Sequence, residues 1–235
     1  MIPVLTPSAP PDPNLFPRAT EPLEEVAAAT PADAAAALGF ALGRLRPATA
    51  TDVRPLVLVT TAAWLCERGR PFSPGLAAWG AGRLIWVRAE REAQALWALE
   101  EALKSGAVAG GLATVEAPSL VATRRLDFAA RAGGAVGVAL RVQAPGDLSA
   151  ARRRWRIAAR GSGPAPFDPA APGQARLRAE LLRRRDGPPG AWDMEQDDAT
   201  LGLRVVVGLA GHGLAARPAP AAQSGLGEPG CERAA

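Results

Sequence analysis

The stretch RLIWVRAEREAQALWALEEALKSG, Arg83 to Gly106, decides the predicted fold. Its first part, Leu84–Val87, is a short apolar run typical of a buried strand, and a helix is expected to begin near Glu90. Apolar residues then recur at helical spacing and form one stripe, made of Ala95, Leu96, Leu99, Ala102 and Leu103. With the apolar run 107–115 that follows, the stretch predicts a βαβ unit with a right-handed crossover over a parallel sheet.

One residue of this helix, Trp97, does not fit the stripe. It lies roughly 100° round the helix from Leu96, away from the centre of the apolar face. Two interpretations remain open. The ring packs against a neighbouring strand as part of the core, which is the outcome we expect, or it is exposed and contacts a partner protein.

The N-terminal side of this unit adds a helix and a central strand. Thr30 or Asp33 can cap the helix, and Pro47 is expected to end it. The β-branched run Leu56–Thr61 predicts a central strand. Adjacent carboxylates cannot share one helix or strand face, so all three pairs are expected to face solvent: Glu24-Glu25, Glu100-Glu101 and Asp197-Asp198.

The C-terminal side continues the alternation and then changes character. A helix is predicted over Leu120–Arg131, ended by Gly133-Gly134, and an apolar strand over Ala135–Val142. Beyond Pro145 the sequence predicts short strands joined by glycine- and proline-rich turns, at 152–158, 175–182, 191–195 and 201–209. The predicted fold class is therefore α/β, a mainly parallel sheet flanked by helices with an antiparallel C-terminal strand extension.

This pattern predicts one domain between two disordered ends. Residues 1–20 are proline-rich and 212–235 are rich in alanine, proline and glycine, which is typical of disorder. The domain is expected to span 21–205, with an α/β core over about 21–144 and a β-rich extension over about 150–205. No secretory signal or membrane-spanning apolar run is found, so we expect a cytoplasmic protein without a membrane partner.

The charge balance is basic, with 27 Lys and Arg against 23 Asp and Glu. Such an excess favours an acidic partner such as nucleic acid. However, Lys104 is the only lysine, and alanine, glycine and proline abound, which is what a GC-rich coding sequence produces without selection for binding. The two cysteines, Cys66 and Cys231, lie far apart and indicate neither a disulfide framework nor a metal site.

No catalytic, cofactor-binding or metal-binding residue is predicted. A phosphate-binding loop needs a glycine-rich turn followed by a lysine and a hydroxyl residue, whereas Lys104 ends a helix and follows no such loop. The single histidine, His212, sits between two glycines near the tail, where a solvated role is expected. We therefore expect a protein that is not an enzyme and that holds no cofactor.

An arginine row is the candidate DNA contact. In RRRWRIA, strand alternation places Arg152, Arg154 and Arg156 on one face and Trp155 on the other. Arginines beside an aromatic residue can follow a phosphate backbone and stack a base. The alternative, which we favour, is a buried Trp155 beneath a solvated arginine row.

Several runs, in this order and spacing, resemble the ImuA family. They are PLEEVAAATPADAAAALGFAL (22–42), GRPFSPGLAAWG (69–80), ALWALEEALKSG (95–106), TRRLDFAARAGG (123–134), RWRIA (154–158) and ELLRRRDGPPGAWDME (180–195). The resemblance covers roughly residues 20–205. The family consists of bacterial accessory proteins of SOS-induced mutagenesis that are similar to RecA in fold.

The resemblance implies a P-loop-type sheet and a role in translesion synthesis. It implies an ImuB-like protein and an error-prone DnaE-type polymerase as partners, with RecA or DNA as further candidates. The ATPase residues do not carry over, because residues 29–35 replace a Walker A sequence and Thr114 and Val115 stand near the Walker B position, with Glu116 a loose substitute. Three hypotheses follow: a non-catalytic accessory protein, which we favour, a residual ATPase or recombinase, and a DNA-binding module.

Overall fold

The computed structural model describes residues 16–18, 20–50, 52–72, 75–76, 84–142, 148–165, 167–168, 170–185, 187–197, 200 and 202–206. Its strands are β1 Leu23–Ala28, β2 Leu56–Thr61, β3 Leu84–Ala89, β4 Gly110–Thr114, β5 Val136–Arg141, β6 Arg153–Arg160, β7 Arg176–Arg183, β8 Gly190–Gln196 and β9 Leu203–Val205. Its helices are α1 Ala34–Ala50, α2 Ala62–Arg68, α3 Glu92–Lys104 and α4 Leu120–Gly133.

The described strands form one nine-stranded sheet in the order β3-β2-β4-β5-β1-β6-β7-β8-β9. Neighbours from β3 to β6 run parallel, whereas β7, β8 and β9 each run antiparallel to the preceding strand. This arrangement confirms the predicted α/β class, the mainly parallel sheet and the antiparallel C-terminal extension.

Helices cover the two faces of the sheet unequally. The helix α1 packs on one face, where Phe40, Trp155 and Trp192 belong to the larger core. The helices α3 and α4 pack side by side on the other face, over a second core that includes Leu99, Leu103 and Leu126. Each helix buries an apolar stripe against the strands, which stabilises a layered α/β fold.

The stretch Arg83 to Gly106 forms a strand and a helix, as predicted, but the strand is not buried. Its strand, β3, lies at one edge of the sheet that the described residues form, and Ile85 is exposed. An edge strand is covered on fewer sides than a central one, which explains the difference. The helix α3 buries Ala95, Leu99 and Leu103, and Gly106 has a positive φ of 71°, which suits a residue without a Cβ.

Near the N-terminus the structure corrects three expectations. The segment Leu23–Ala28 was not predicted as a strand, yet β1 is central and fully buried. The helix α1 does not end at Pro47 but continues to Ala50. Proline removes one backbone hydrogen bond, but its fixed φ is compatible with a helix, so the residues after it can stay helical. The helix α2 was also not predicted; it begins directly after β2, where Oγ1 of Thr61 accepts a hydrogen bond from the N–H of Trp64 at 3.3 Å.

Some predictions fall outside the described residues. They concern most of the N-terminal segment 1–20, the tail 212–235, His212 and Cys231. Within the part that is described, no helix has the length and apolar character needed to cross a membrane.

Candidate functional site

The loop between β1 and α1 is the place where the family resemblance would put a Walker A sequence. The structure gives this loop a different local chemistry. The Asp33 carboxylate accepts hydrogen bonds from the Thr30 backbone N–H at 3.0 Å and from the Thr30 hydroxyl at 2.7 Å, and its second oxygen accepts one from the Ala159 N–H at 2.8 Å. A carboxylate therefore takes up the Thr30 N–H of this loop, the kind of group that would bind a phosphate.

This carboxylate is held in its charged form. Partial burial raises the pKa of Asp33. The hydrogen bonds from Thr30 and Ala159 and the nearby charge of Arg160 together lower it by more than burial raises it, so the pKa lies below the ordinary 3.8. A negative charge at the beginning of α1 repels another anion. The geometry thus opposes phosphate binding at this loop.

The carboxyl ends of β2 and β4 carry hydroxyl groups that are engaged in structural bonds. The Thr61 N–H donates to Oγ1 of Thr114 at 2.9 Å, and Nε1 of Trp86 donates to Oγ1 of Thr60 at 2.8 Å. The backbone N–H of Glu116, which follows β4, donates to the Glu92 carboxylate at 2.9 Å. These contacts fix the ends of the strands and do not bring a nucleophile and a base together.

The largest discrepancy with the sequence prediction is the pair Glu24 and Glu25, which was expected to face solvent. Both side chains are buried, at 0% and 1% exposure, and strand alternation places them on opposite faces of β1. They can be buried because each meets arginines from other elements. The prediction failed because those arginines come from distant parts of the chain.

On the α1 face, Glu24 lies in a network of charge-assisted hydrogen bonds. It accepts from Nε and Nη2 of Arg44 at 2.9 and 2.6 Å, and from Nε1 of Trp155 at 2.9 Å. Arg153, also buried, lies 3.5 Å from the same carboxylate. The Arg44 guanidinium stacks over the rings of Phe16 and Trp155, with 5.7 and 5.4 Å to their centroids.

On the opposite face, Glu25 meets two further arginines. Its Oε1 accepts hydrogen bonds from Nη1 of Arg141 at 3.1 Å and from Nη2 of Arg154 at 3.3 Å. Its other oxygen, Oε2, is buried and has no hydrogen-bond partner within the described residues. The three side chains join β5, β1 and β6, so the network fixes the strands at the centre of the sheet.

The arginine row lies on the face where sequence alternation placed it, but the expected solvation is wrong for Arg154, whose side chain is only 13% accessible because it turns to Glu25. Trp155 is buried, which confirms its predicted core position. All three arginines contact carboxylates: Arg152 lies 3.8 Å from Glu21, Arg154 contacts Glu25, and Arg156 donates to Glu180 through Nε at 2.8 Å. Their positive charge is therefore already opposed locally, which weakens the case for DNA contact. The DNA contact itself stays a prediction.

Trp97 is exposed, so the expected core position is wrong. Its side chain is 61% accessible, because the helix already covers the sheet with Ala95, Leu99 and Leu103. The adjacent helix exposes two more large apolar side chains, Val121 at 65% and Phe128 at 71%. We call the surface formed by Trp97, Val121, Arg124, Arg125 and Phe128 the α3–α4 surface.

A pocket of about 340 Å³ lies beside β2 and β3. Leu58, Leu84 and Trp86 line it from the sheet, and the Arg70 guanidinium stacks over the Trp86 ring at 4.4 Å from its centroid. Among the residues that the structure describes, its lining contains no carboxylate, histidine or cysteine. Such a pocket can hold an apolar group, but it offers no acid, base or nucleophile.

No protein-family model matches the chain. Two curated relatives, each named Protein ImuA and from two strains of Caulobacter vibrioides, are 42% identical over 171 residues, which is 66% of this chain and 70% of the relative. The chain belongs to the ImuA family. The ImuA resemblance seen in the sequence is thereby confirmed.

A solved structure also matches, more loosely. SulA from Pseudomonas aeruginosa is 24% identical with a TM-score of 0.39, and the match covers 52% of this ImuA-family chain and 98% of SulA. At that TM-score the likeness supports no inference about fold or function.

For this ImuA-family chain, sequence reasoning singled out Trp97 but missed its two apolar neighbours on α4. A signal for them was present. Once Leu126, Ala129 and Ala130 are assigned to the buried face of the helix, Val121 and Phe128 must lie on the opposite side. The buried carboxylates of β1 gave no comparable local signal.

Proposed function

We propose that this protein is a non-catalytic accessory protein of a bacterial SOS mutagenesis complex, in which it supports translesion synthesis by binding other proteins. The observation that carries the proposal is membership of the ImuA family, on 42% identity over 171 residues. The proposed partners are an ImuB-like protein and an error-prone DnaE-type DNA polymerase, and the proposed location is the cytoplasm.

The proposal includes a fold related to that of RecA, with the nucleotide site lost. Its support is the position of β1 at the centre of a mainly parallel sheet, followed directly by a tight turn and α1. In a P-loop protein this turn holds phosphate through backbone N–H groups and a lysine. Here Thr30 and Asp33 bond to each other across the turn, and the chain has no lysine at this place.

The experiment that tests the proposal is genetic. A strain without this protein should lose DNA-damage-induced mutation while keeping its spontaneous mutation frequency. Wild-type protein supplied on a plasmid should restore induced mutation, and pull-down from damaged cells should recover the ImuB-like protein and the polymerase. An undiminished induced mutation frequency in the deletion strain would overturn the proposal.

A DNA-binding module is the second candidate. The observation that favours it is the exposed face of β6 and β7, where Arg156, Arg160 and Arg178 outnumber Glu180. Direct binding would show itself as affinity for DNA of any sequence that falls steeply with salt. If the protein binds its partner proteins but has no such affinity for DNA, the accessory role is supported and the DNA-binding role is not.

A further inference from the structure

The α3–α4 surface is apolar where the fold does not require it. The inward stripes of the two helices are complete without it, since α3 buries Ala95, Leu99 and Leu103 and α4 buries Leu126 and Ala130. Trp97, Val121 and Phe128 therefore add no core packing. A tryptophan and a phenylalanine that are exposed on neighbouring helices are typical anchors of a protein interface.

These three side chains each lie within one helical turn of an ion pair that links the two helices. Arg125 of α4 contacts Glu100 of α3 at 2.9 Å, which marks the line where the two helices meet. Trp97 lies one turn before Glu100, whereas Val121 and Phe128 lie one turn before and one turn after Arg125. The apolar side chains consequently lie on both sides of the seam and form one patch.

The two helices are fixed at both ends. The Arg54 guanidinium donates to the carbonyl oxygens of Gly106 at 2.9 Å and of Gly133 at 3.1 Å, which ties their C-terminal ends together. At the other end, the Glu92 carboxylate accepts hydrogen bonds from the backbone that leads into α4. A patch held in this way is preorganised, so binding to it has a small ordering cost.

The exposed charge around the patch is mainly positive. Arg124 is exposed and forms no ion pair within the part of the chain that the structure describes, and the Arg125 side chain remains 60% accessible. Of the nearby acids, Glu100 and Asp127 are covered, with side-chain accessibilities of 17% and 16%, and each contacts an arginine. Glu101, one turn after Trp97, is 47% accessible and lies 3.8 Å from the exposed Lys104. The complementary surface is apolar at its centre and acidic at its rim.

We propose that the α3–α4 surface binds an amphipathic helix of a partner protein, with acidic residues beside its apolar face. The seam of two parallel helices is a shallow groove that suits a third helix. Val121 and Phe128 are about two turns, or roughly 10.5 Å, apart along the axis, which matches positions i and i+7 of a facing helix. This inference rests on the proposed function, because it states where such a partner binds.

The experiment measures binding of the full-length protein to the ImuB-like protein and to the DnaE-type polymerase, each purified, by calorimetry. Trp97→Ala and Phe128→Ala should each weaken one of these complexes by roughly 30-fold or more, as expected for interface anchors. Arg124→Glu should weaken the same complex and reduce its dependence on salt. The matched control is Phe72→Ala, which removes an equally exposed aromatic ring, 72% accessible, that lies beside Leu84 and Trp86 on the α1 side of the sheet.

A photo-crosslinker placed at position 128 identifies the occupant. The expected product joins it to a partner segment with apolar residues at helical spacing and net negative charge. A basic or extended segment would overturn the proposal, as would crosslinking to a second copy of this chain. Equal losses for Phe72→Ala and Trp97→Ala would also overturn it.

The outcomes separate the surface from the function. If wild-type protein binds neither probe, the proposed function fails and this inference fails with it. If wild-type protein binds and the Trp97 and Phe128 variants bind equally well, the function stands and the surface is wrong. Thermal unfolding of each variant, expected to match wild type, excludes misfolding as the cause of a loss.

Discussion

Arg44 of α1 and Glu24 of β1 form a buried, bidentate ion pair. Nε and Nη2 of the guanidinium lie 2.9 and 2.6 Å from the two carboxylate oxygens, and both side chains are almost completely shielded from solvent. Removing two charges from water is costly, so such a pair stabilises a fold only when its remaining hydrogen-bonding groups are also satisfied. Here the Pro17 carbonyl and the Trp155 indole satisfy some of them.

Breaking this pair should be strongly destabilising. Arg44→Met leaves the buried Glu24 carboxylate with less compensation, and we expect a loss of about 3–5 kcal/mol in the free energy of unfolding. Urea denaturation measures it. The control is Arg125→Ala, which breaks an exposed pair with Glu100 and should cost no more than about 1 kcal/mol. Similar losses for both variants would contradict the buried pair's special role.

Two tryptophans should respond differently to truncation. Trp155→Ala removes a buried ring that contacts Phe16, Phe40 and Trp192, so we expect a loss of about 3–5 kcal/mol. Trp97→Ala removes an exposed ring and should change stability by less than about 0.5 kcal/mol. Thermal unfolding of both variants compares them directly. A large loss for Trp97→Ala would restore its predicted core position.

Stability should fall at acid pH partly through Asp33 and Glu195. Burial raises the pKa of Glu195, but hydrogen bonds from Arg176 and Arg204 outweigh it, so its pKa lies below the ordinary 4.5, as that of Asp33 lies below 3.8. A carboxyl whose pKa is lower in the folded state adds stability above its unfolded pKa, and this stability disappears as the pH falls through the folded value.

The measurement is urea denaturation between pH 7 and pH 3. The double variant Asp33→Asn, Glu195→Gln should be less stable than wild type at pH 7, and the difference should shrink below the ordinary pKa values of 3.8 and 4.5. A difference that stays constant across this range would show that the two carboxyls do not titrate as expected.

The purified protein should not bind ATP measurably. The Asp33 carboxylate takes the Thr30 N–H in the turn before α1 and the Ala159 N–H of β6, and the chain lacks a lysine in that turn. Calorimetry with ATP and Mg²⁺ should therefore give no binding heat. Asp33→Ala should not restore binding, because it frees N–H groups without supplying the lysine. Micromolar, magnesium-dependent affinity would revive the ATPase hypothesis.

The arginine row should contribute little to DNA binding. Arg152 and Arg156 already contact Glu21 and Glu180. Replacing both with serine should leave the salt dependence of any DNA affinity unchanged, whereas each lost phosphate contact would reduce the slope by about 0.7–0.9. Arg183→Ser with Arg185→Ser is the comparison, because both side chains are exposed at the end of β7. A smaller slope for the first variant alone would support the DNA contact.

Sequence patterns were most informative where burial follows local periodicity. In the run Leu56–Thr61 four of the six residues are β-branched, and β2 has the predicted bounds. The helix α3 buries residues of the predicted stripe because its spacing matches the helical repeat. In such elements the neighbours along the chain contain the information that decides the structure.

Sequence reasoning failed where a buried side chain is compensated by residues far away along the chain. The run LEEVAA of β1 contains two glutamates, which local patterns place in solvent. Glu24 is instead compensated by Arg44, 20 residues away, and by Trp155, 131 residues away, and Glu25 by Arg141, 116 residues away. The α3–α4 surface was found only in part, because exposure of Trp97 depends on how much of the sheet the rest of α3 already covers.

The position of β1 also sets an order of events during synthesis. Its neighbours are β5 and β6, so β1 cannot pair in the sheet until residues beyond 136 have been made. At about 5–20 residues per second, that delay lasts from several seconds to roughly twenty. Until then Glu24 and Glu25 interrupt an otherwise apolar strand segment, and charged residues in such segments disfavour aggregation. The same strand that finally encloses them, β6, brings Arg153 and Arg154 as counter-charges.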